Sequence, residues 1–263
     1  MKLALAQMES ELGQIEVNVE KGCDLIDQAC AGGAELVVLP EFWSTGYFPA
    51  LVDYDFYDLA APADGHAMSR VAEKAREHGV HIVSTIYEET GPGVYYNSSM
   101  IVDPQGEVVH KYRKVQVPAR RGLEKLYYRG GSKFPVTRIG EWRVGIILCY
   151  DTLFPEAARC LALGGAELIL VPFGASTTEG MIWDQLMMTR AFENGAYVAP
   201  CNSIGQVQMA DGDVFKLGGK SLVVDPTGRI IEQAGVEEEV VVHAEIDRGA
   251  VYDVRRQYFM LRD

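Results

Sequence analysis

Cys149 ends an apolar run, Val144-Gly145-Ile146-Ile147-Leu148, after which the chain turns polar. A cysteine at the end of a buried strand, just ahead of a helix starting near Phe154, is held rigidly close to a helix N-terminus. That is where a thiolate is most easily stabilised. A thiol nucleophile needs a base to take its proton. The five histidines, His66, His78, His81, His110 and His243, stand in no obvious site context, although His110 stays open. Glu41, delivered at the end of Glu35-Leu36-Val37-Val38-Leu39-Pro40, can serve instead, because burial raises a carboxyl towards neutrality. Lys114 lies just past Tyr112-Arg113. Its ammonium suits the oxyanion of a tetrahedral intermediate, where one well-placed donor contributes roughly 3–4 kcal/mol. Singly, each residue has a plainer role: core cysteine, solvated carboxylate, hairpin-edge charge. Together they are nucleophile, base and electrostatic stabiliser for acyl transfer.

All three stand at element ends. In open α/β architectures ligands gather at the carboxyl ends of parallel strands, so the three can converge. The spacing of apolar residues predicts strands over 2–8, 35–40, 80–87, 143–148, 167–171, 197–201 and 240–246. Helices are expected over 18–31, 65–78, 154–163 and 181–194. Two hairpins turn at Asp103-Pro104-Gln105-Gly106 and Asp225-Pro226-Thr227-Gly228. Residues 42–58 and 117–132 read as loops, the first rich in aromatic residues.

The chain also repeats itself. Gly32-Gly33-Ala34-Glu35-Leu36-Val37-Val38-Leu39-Pro40-Glu41 matches Gly164-Gly165-Ala166-Glu167-Leu168-Ile169-Leu170-Val171-Pro172-Phe173, and the two Asp-Pro-x-Gly turns follow in the same order. Two similar half-sheets stacked face to face with helices outside give a single domain over 1–263, a four-layer α-β-β-α sandwich with an internal pseudo-two-fold repeat. Glu41 is replaced by Phe173 in the second half, so only one half carries the acid.

A net charge of −13 over 263 residues disfavours nucleic acid or an anionic membrane as partner. Five cysteines at irregular spacing, with no Cys-x-x-Cys pair, suggest neither a zinc site nor a disulfide framework and fit a reducing, cytoplasmic setting. The N-terminus lacks the apolar length of a signal peptide, and no run is long enough to span a membrane.

Leu39-Pro40-Glu41 with Gly46-Tyr47, Tyr112-Arg113-Lys114, and Leu148-Cys149-Tyr150-Asp151 with Phe154-Pro155-Glu156 resemble the three signatures of the nitrilase (carbon–nitrogen hydrolase) superfamily. The resemblance runs over essentially the whole chain, through both hairpins and Arg190-Ala191-x-Glu193-Asn194. It implies the same sandwich, hydrolysis of a non-peptide C–N bond without cofactor or metal, and a homodimer or larger assembly built through helices after the cysteine and the C-terminal tail. Carried onto this chain, it implies Cys149 as nucleophile, Glu41 as general base, and Lys114 with the backbone N–H of Tyr150 as oxyanion holders. Glu124, in Gly122-Leu123-Glu124-Lys125, resembles the family's further glutamate and is expected to orient Lys114 or the attacking water. Trp43, Tyr47 and Tyr150 are the expected substrate contacts.

The stretches Glu124 to Tyr128 and Phe154 to Arg159 look like the N-carbamoylputrescine amidase and carbamoylase branches. Thr152 and Leu153 stand where enzymes for N-carbamoyl-D-amino acids carry paired arginines, so a neutral or cationic substrate is expected. The expected substrate is a small amide or N-carbamoyl amine, releasing ammonia or an amine. Nitrile hydrolysis is the alternative. A catalytically silent binding module is disfavoured by the presence of Glu41, Lys114 and Cys149 together. A glutamine-hydrolysing domain normally has a fused synthetase, and membrane-bound acyltransferase relatives carry spanning helices.

Overall fold

The computed structural model describes residues 1–119, 122–176, 182–209 and 212–262. Strand alternation sorts the chain into layers. On β1 (Lys2–Glu9), Leu3 and Leu5 point one way and Ala4, Ala6 and Met8 the other. Leu3 and Leu5 join a central core with Leu36 and Val38 of β2 (Leu36–Val38), Val144 and Ile146 of β7 (Trp142–Ile146), and Leu168 and Leu170 of β8 (Leu168–Phe173). Their alternate neighbours pack outward. Ala4, Val37 and Leu39 meet α1 (Ile15–Ala31) and α2 (His66–His78). Ile147, Ile169 and Val171 meet α4 (Pro155–Leu163) and α5 (Trp183–Asn194). Each buried Leu, Ile or Val contributes about 1.5–3 kcal/mol, so a one-residue slip that reversed these faces would be heavily disfavoured. The expected α-β-β-α sandwich is the observed one.

The first half-sheet runs β5 (Val108–Arg113), β4 (Val94–Val102), β3 (His81–Gly91), β2, β1, with β13 (Val240–Glu245) antiparallel to β1. The second runs β12 (Ile230–Gln233), β11 (Leu222–Val224), β9 (Tyr197–Gln208), β8, β7, with β6 (Val136–Ile139) antiparallel to β7. The two orders match place for place. So do the hairpin turns. Asp103 Oδ1 accepts the amides of Gln105 and Glu107, and Asp225 Oδ1 those of Thr227 and Arg229. Gly106 and Gly228 both close their turns at positive φ, 79° and 81°, where a side chain would be strained.

The half-sheets are not separate, as the repeat suggested. β9 continues well past Cys201, pairs with β10 (Val214–Gly218), and touches β1 in parallel at Met8–Ser203 and Glu9–Ile204. The extension is Asn202-Ser203-Ile204-Gly205-Gln206-Val207-Gln208, whose polar residues end the apolar signal but not the pairing. The short strands β6 and β10 carried too little periodicity to be read. The tail forms α6 (Arg248–Tyr258), capped by Asp247 Oδ1 accepting from the Gly249 amide at 3.0 Å. Of the expected helix over 181–194, Met181 lies outside the described residues, as do Arg120 and Arg121 of the second loop. No helix among the described residues is long and apolar enough to cross a membrane.

Candidate active site

Glu41, Lys114 and Cys149 each stand just past the end of a strand. Glu41 follows β2 and precedes Phe42, which takes a left-handed conformation (φ 60°) so that its carbonyl accepts the amides of Thr45 and Gly46. The Glu41 amide donates to the carbonyl of Phe173, its counterpart in the repeat, at 3.3 Å. Lys114 follows β5, its amide bonded to the Asn97 carbonyl at 2.9 Å and its carbonyl to the Gly131 amide at 2.8 Å. Cys149 follows β7 with φ 40°, a strained value for a residue with a Cβ. It opens a 3₁₀ turn, Cys149–Leu153, and α4 begins only at Pro155. The cysteine therefore precedes the following α-helix, as its sequence position suggested, but a 3₁₀ turn separates it from that helix's N-terminus. Thr152 Oγ1 donates to the Cys149 carbonyl (2.6 Å) and Arg190 Nε to the Thr152 carbonyl (3.1 Å), which ties the turn to α5.

Lys114 is buried between two buried carboxylates. Its Nζ lies 2.8 Å from Glu41 Oε1 and 2.6 Å from Glu124 Oε2. Glu124 opens a single helical turn, α3 (Glu124–Tyr127), inside the stretch expected to be loop. Burial pushes the Glu41 carboxyl up; Lys114 pulls it back and the Glu124 carboxylate raises it again, leaving it at about 7. Burial alone would lower the Lys114 ammonium, but the Glu124 and Glu41 carboxylates outweigh it and hold the ammonium well above the ordinary lysine range. The pair thus supplies a base that titrates near neutrality beside a permanent cation.

The Cys149 thiol is held well above the ordinary range. Burial is the main cause and Glu41 adds to it, while Lys114 and a hydrogen bond from the Gly174 amide act in the opposite direction. Burial, with two carboxylates against one ammonium in the pocket, leaves the resting sulfur a thiol. Gly174 also borders Glu41: a Cβ there would lie 3.4 Å from Glu41 Oε2. That oxygen has no hydrogen-bond partner among the described residues, whereas Oε1 is occupied by Lys114 and Asn97. The unoccupied face of the Glu41 carboxyl is the one beside the Gly174 amide that contacts the thiol.

Tyr47 is brought to the cluster. It is buried, stacked on Phe215 and edge-on to Phe42. A methyl group at Gly122 would lie 2.3 Å from its hydroxyl and 3.8 Å from Glu124 Oε1, so this close approach needs glycine. Tyr150 is half-buried, its ring edge-on to Phe154. Trp43 is not brought in: it lies in the core under α1, with its Nε1 bonded to Ser84 Oγ at 3.0 Å and its ring against Gly22. The aromatic loop instead contributes Tyr57, which lines a cleft of about 830 Å³ with Tyr95, Val117 and Tyr128.

Two members of the cluster escaped the sequence reading. Asn97 Nδ2 donates to Glu41 Oε1 (2.7 Å) and to Tyr128 OH (3.2 Å), and Tyr128 OH donates to Glu124 Oε2. The one available signal was the asparagine set among the apolar and small residues of β4. His110 is buried in β5, and burial pushes its imidazole down to about 4, so it stays neutral and apart from this cluster. Among the described residues, one group of potential metal ligands occurs, Asp27, Glu77 and His78, at the surface between α1 and α2; Lys74 already pairs with both carboxylates.

The profile of the carbon–nitrogen hydrolase family matches residues 2–256. A nitrilase of Pyrococcus abyssi is 34% identical over 94% of this chain and 90% of its own length. An (R)-stereoselective amidase of Pseudomonas sp. is 31% identical over 100% of this chain and 91% of its own. A variant of the amidase from Nesterenkonia sp. AN1 superposes with a TM-score of 0.83 at 28% identity, covering 98% of this chain and 95% of that one. It is described as carrying the acetamide moiety of fluoroacetamide added covalently at the active-site cysteine.

Proposed function

This chain belongs to the carbon–nitrogen hydrolase family, and it is an amidohydrolase of non-peptide C–N bonds; we propose that it works through a covalent acyl-enzyme on Cys149. Glu41 takes the thiol proton as the sulfur attacks the amide carbon. The carbonyl oxygen becomes an oxyanion, which the Lys114 ammonium and the Tyr150 amide stabilise. The tetrahedral intermediate collapses, the C–N bond breaks, and the proton on Glu41 leaves with the nitrogen as ammonia or an amine. Glu41 then takes a proton from water, whose oxygen attacks the thioester. Collapse releases the acid and returns the proton to the sulfur. Glu124 holds Lys114 in place, and Tyr47 borders the acyl group.

The observation that carries this reading is the buried Glu41–Lys114–Glu124 chain beside a protonated, buried Cys149. The substrate we favour is a small neutral or cationic amide, with N-carbamoyl amines second. Thr152 and Leu153 stand after the cysteine in place of paired arginines that would hold a carboxylate, and the stretch Glu124 to Tyr128 resembles the carbamoylase branch. Ammonia release from a short aliphatic amide, an aromatic amide, N-carbamoylputrescine and a nitrile, measured from pH 5 to 9, tests it. Amide turnover is expected, with kcat/KM climbing through pH ~7 as Glu41 becomes the free base. Turnover of the nitrile alone would refute the amidase reading, and an acid limb near 4.5 would refute Glu41 as the base.

The free cysteines fit the reducing, cytoplasmic setting we propose. We also propose a homodimer through α5 and the tail, where Phe192 and Tyr258 meet edge-on at 5.3 Å and both stay exposed, with Phe259 exposed beside Tyr258. Light scattering is expected to give twice the 29.0 kDa of the chain, and Phe192→Glu to return it to one copy. A monomeric wild type would overturn the assignment.

A further inference from the structure

Cys149 and Lys114 belong to opposite half-sheets, the first following β7 and the second β5. Their loops are joined by one side chain that the reaction scheme does not use. Asp151 is fully buried. Its Oδ2 accepts from the Tyr112 hydroxyl at 2.6 Å and from the Leu148 amide at 2.9 Å, and its Oδ1 accepts from the Gln116 amide at 2.8 Å. Tyr112 OH in turn accepts from the Val115 amide at 3.3 Å. Residues 112, 115 and 116 bracket Lys114, and residues 148 and 151 bracket Cys149. Two carboxylate oxygens therefore fasten the loop of the cation to the loop of the nucleophile, across the interface between the half-sheets.

We propose that Asp151 is a positioning residue that fixes the Lys114 ammonium relative to the Cys149 sulfur. The proposal rests on the roles given above to those two residues. Three donors converge on Asp151 and it donates to none, so only a carboxylate satisfies the site; an amide of the same shape would turn an NH₂ group against a donor. Burial raises the Asp151 carboxyl, while Tyr112, Leu148 and Gln116 hold it down. A position at which a carboxylate is costly, yet is surrounded only by donors, is suited to holding two segments in one relative geometry. The Lys114 ammonium itself bonds Glu41 and Glu124, neither of which belongs to the Cys149 loop.

The test separates position from charge, because the two act in opposite directions on the thiol. Removing a nearby negative charge alone would make the thiol easier to ionise. Moving Lys114 away would make it harder. Alkylation of Cys149 by iodoacetamide, followed by peptide mass mapping against pH, reads this without any substrate. It therefore remains interpretable if the amidase reading fails, which would show separately as wild type releasing no ammonia while alkylating normally. Asp151→Asn is expected to slow Cys149 alkylation at pH 8 at least tenfold and move its rise to higher pH. It should lower kcat with KM within about twofold. Tyr112→Phe, which removes one of the donors and keeps the carboxylate, is expected to lie between, three- to tenfold down. A rise that stays in place or moves to lower pH in Asp151→Asn would overturn the proposal. So would wild-type alkylation and kcat in both variants after correction for the folded fraction. If Asp151→Asn does not fold, Tyr112→Phe decides alone, and unchanged alkylation there counts against the proposal.

Discussion

Cys149→Ala is expected to reduce ammonia release by roughly 10⁴- to 10⁶-fold, the range in which a nucleophile's loss leaves only the catalysis of the remaining groups. In the proposed scheme the residue supplies the atom that bonds to the acyl carbon, and neither of the other fully buried cysteines is placed to replace it. Cys201 is buried with its thiol raised by burial and bonded to the Val38 carbonyl, and Cys23 is buried on the inner face of α1. The fold should survive. Alanine tolerates the φ of 40° no worse than cysteine, and the lost sulfur leaves a small gap in a pocket that already holds polar groups, a cost of about 1 kcal/mol. Intact mass during turnover should show an acyl adduct on the wild type and none on the variant. Retained turnover by a folded Cys149→Ala protein would remove the acyl-enzyme altogether.

What could be read in advance divides along a physical line. Alternation on β1 and β2, and the repeated Gly-Gly-Ala-Glu-Leu connection, are local patterns, and both faces and both halves followed from them. Glu41 and Lys114 could be found because strand ends are local features too. Asn97, Tyr128 and Asp151 could not. Each acts through contacts between segments far apart in the chain, and nothing in the neighbourhood of Asn97 announces a partner at Glu41, 56 positions away. Trp43 shows the opposite error. An aromatic residue two positions from the base was expected at the substrate, but Gly22 leaves a hollow in α1 that the indole fills, and packing won. The state of the Cys149 thiol likewise depends on groups brought from elsewhere in the chain. Proximity to a helix start argues for a thiolate, yet complete burial beside Glu41 outweighs it.

Lys114→Met is expected to damage stability and catalysis together, and the two can then be pulled apart. In the wild type one ammonium serves two buried carboxylates. Removing it leaves both without a counter-charge, and breaking such a buried arrangement costs about 3–5 kcal/mol at neutral pH. Protonating a carboxyl relieves the repulsion, which gives the loss a pH dependence of known sign. Glu41 already titrates at about 7 in the folded wild type, above its unfolded value of about 4.5. The variant, lacking the cation, must raise it further. A raised carboxyl stabilises the fold fully below the unfolded value and loses that contribution as pH climbs through the folded one. The stability deficit of Lys114→Met should therefore be smallest near pH 5 and largest near pH 8, measured by urea unfolding. Activity should fall by about 10²- to 10³-fold from the lost oxyanion donor alone, with further loss because Glu41 becomes a poorer match for its task. Adding Glu124→Gln removes one of the unpaired charges, so the double variant is expected to recover much of the stability at pH 8 and none of the turnover. Recovery of both would mean that Lys114 only neutralises its neighbours. Recovery of stability alone identifies the ammonium as the group that meets the oxyanion.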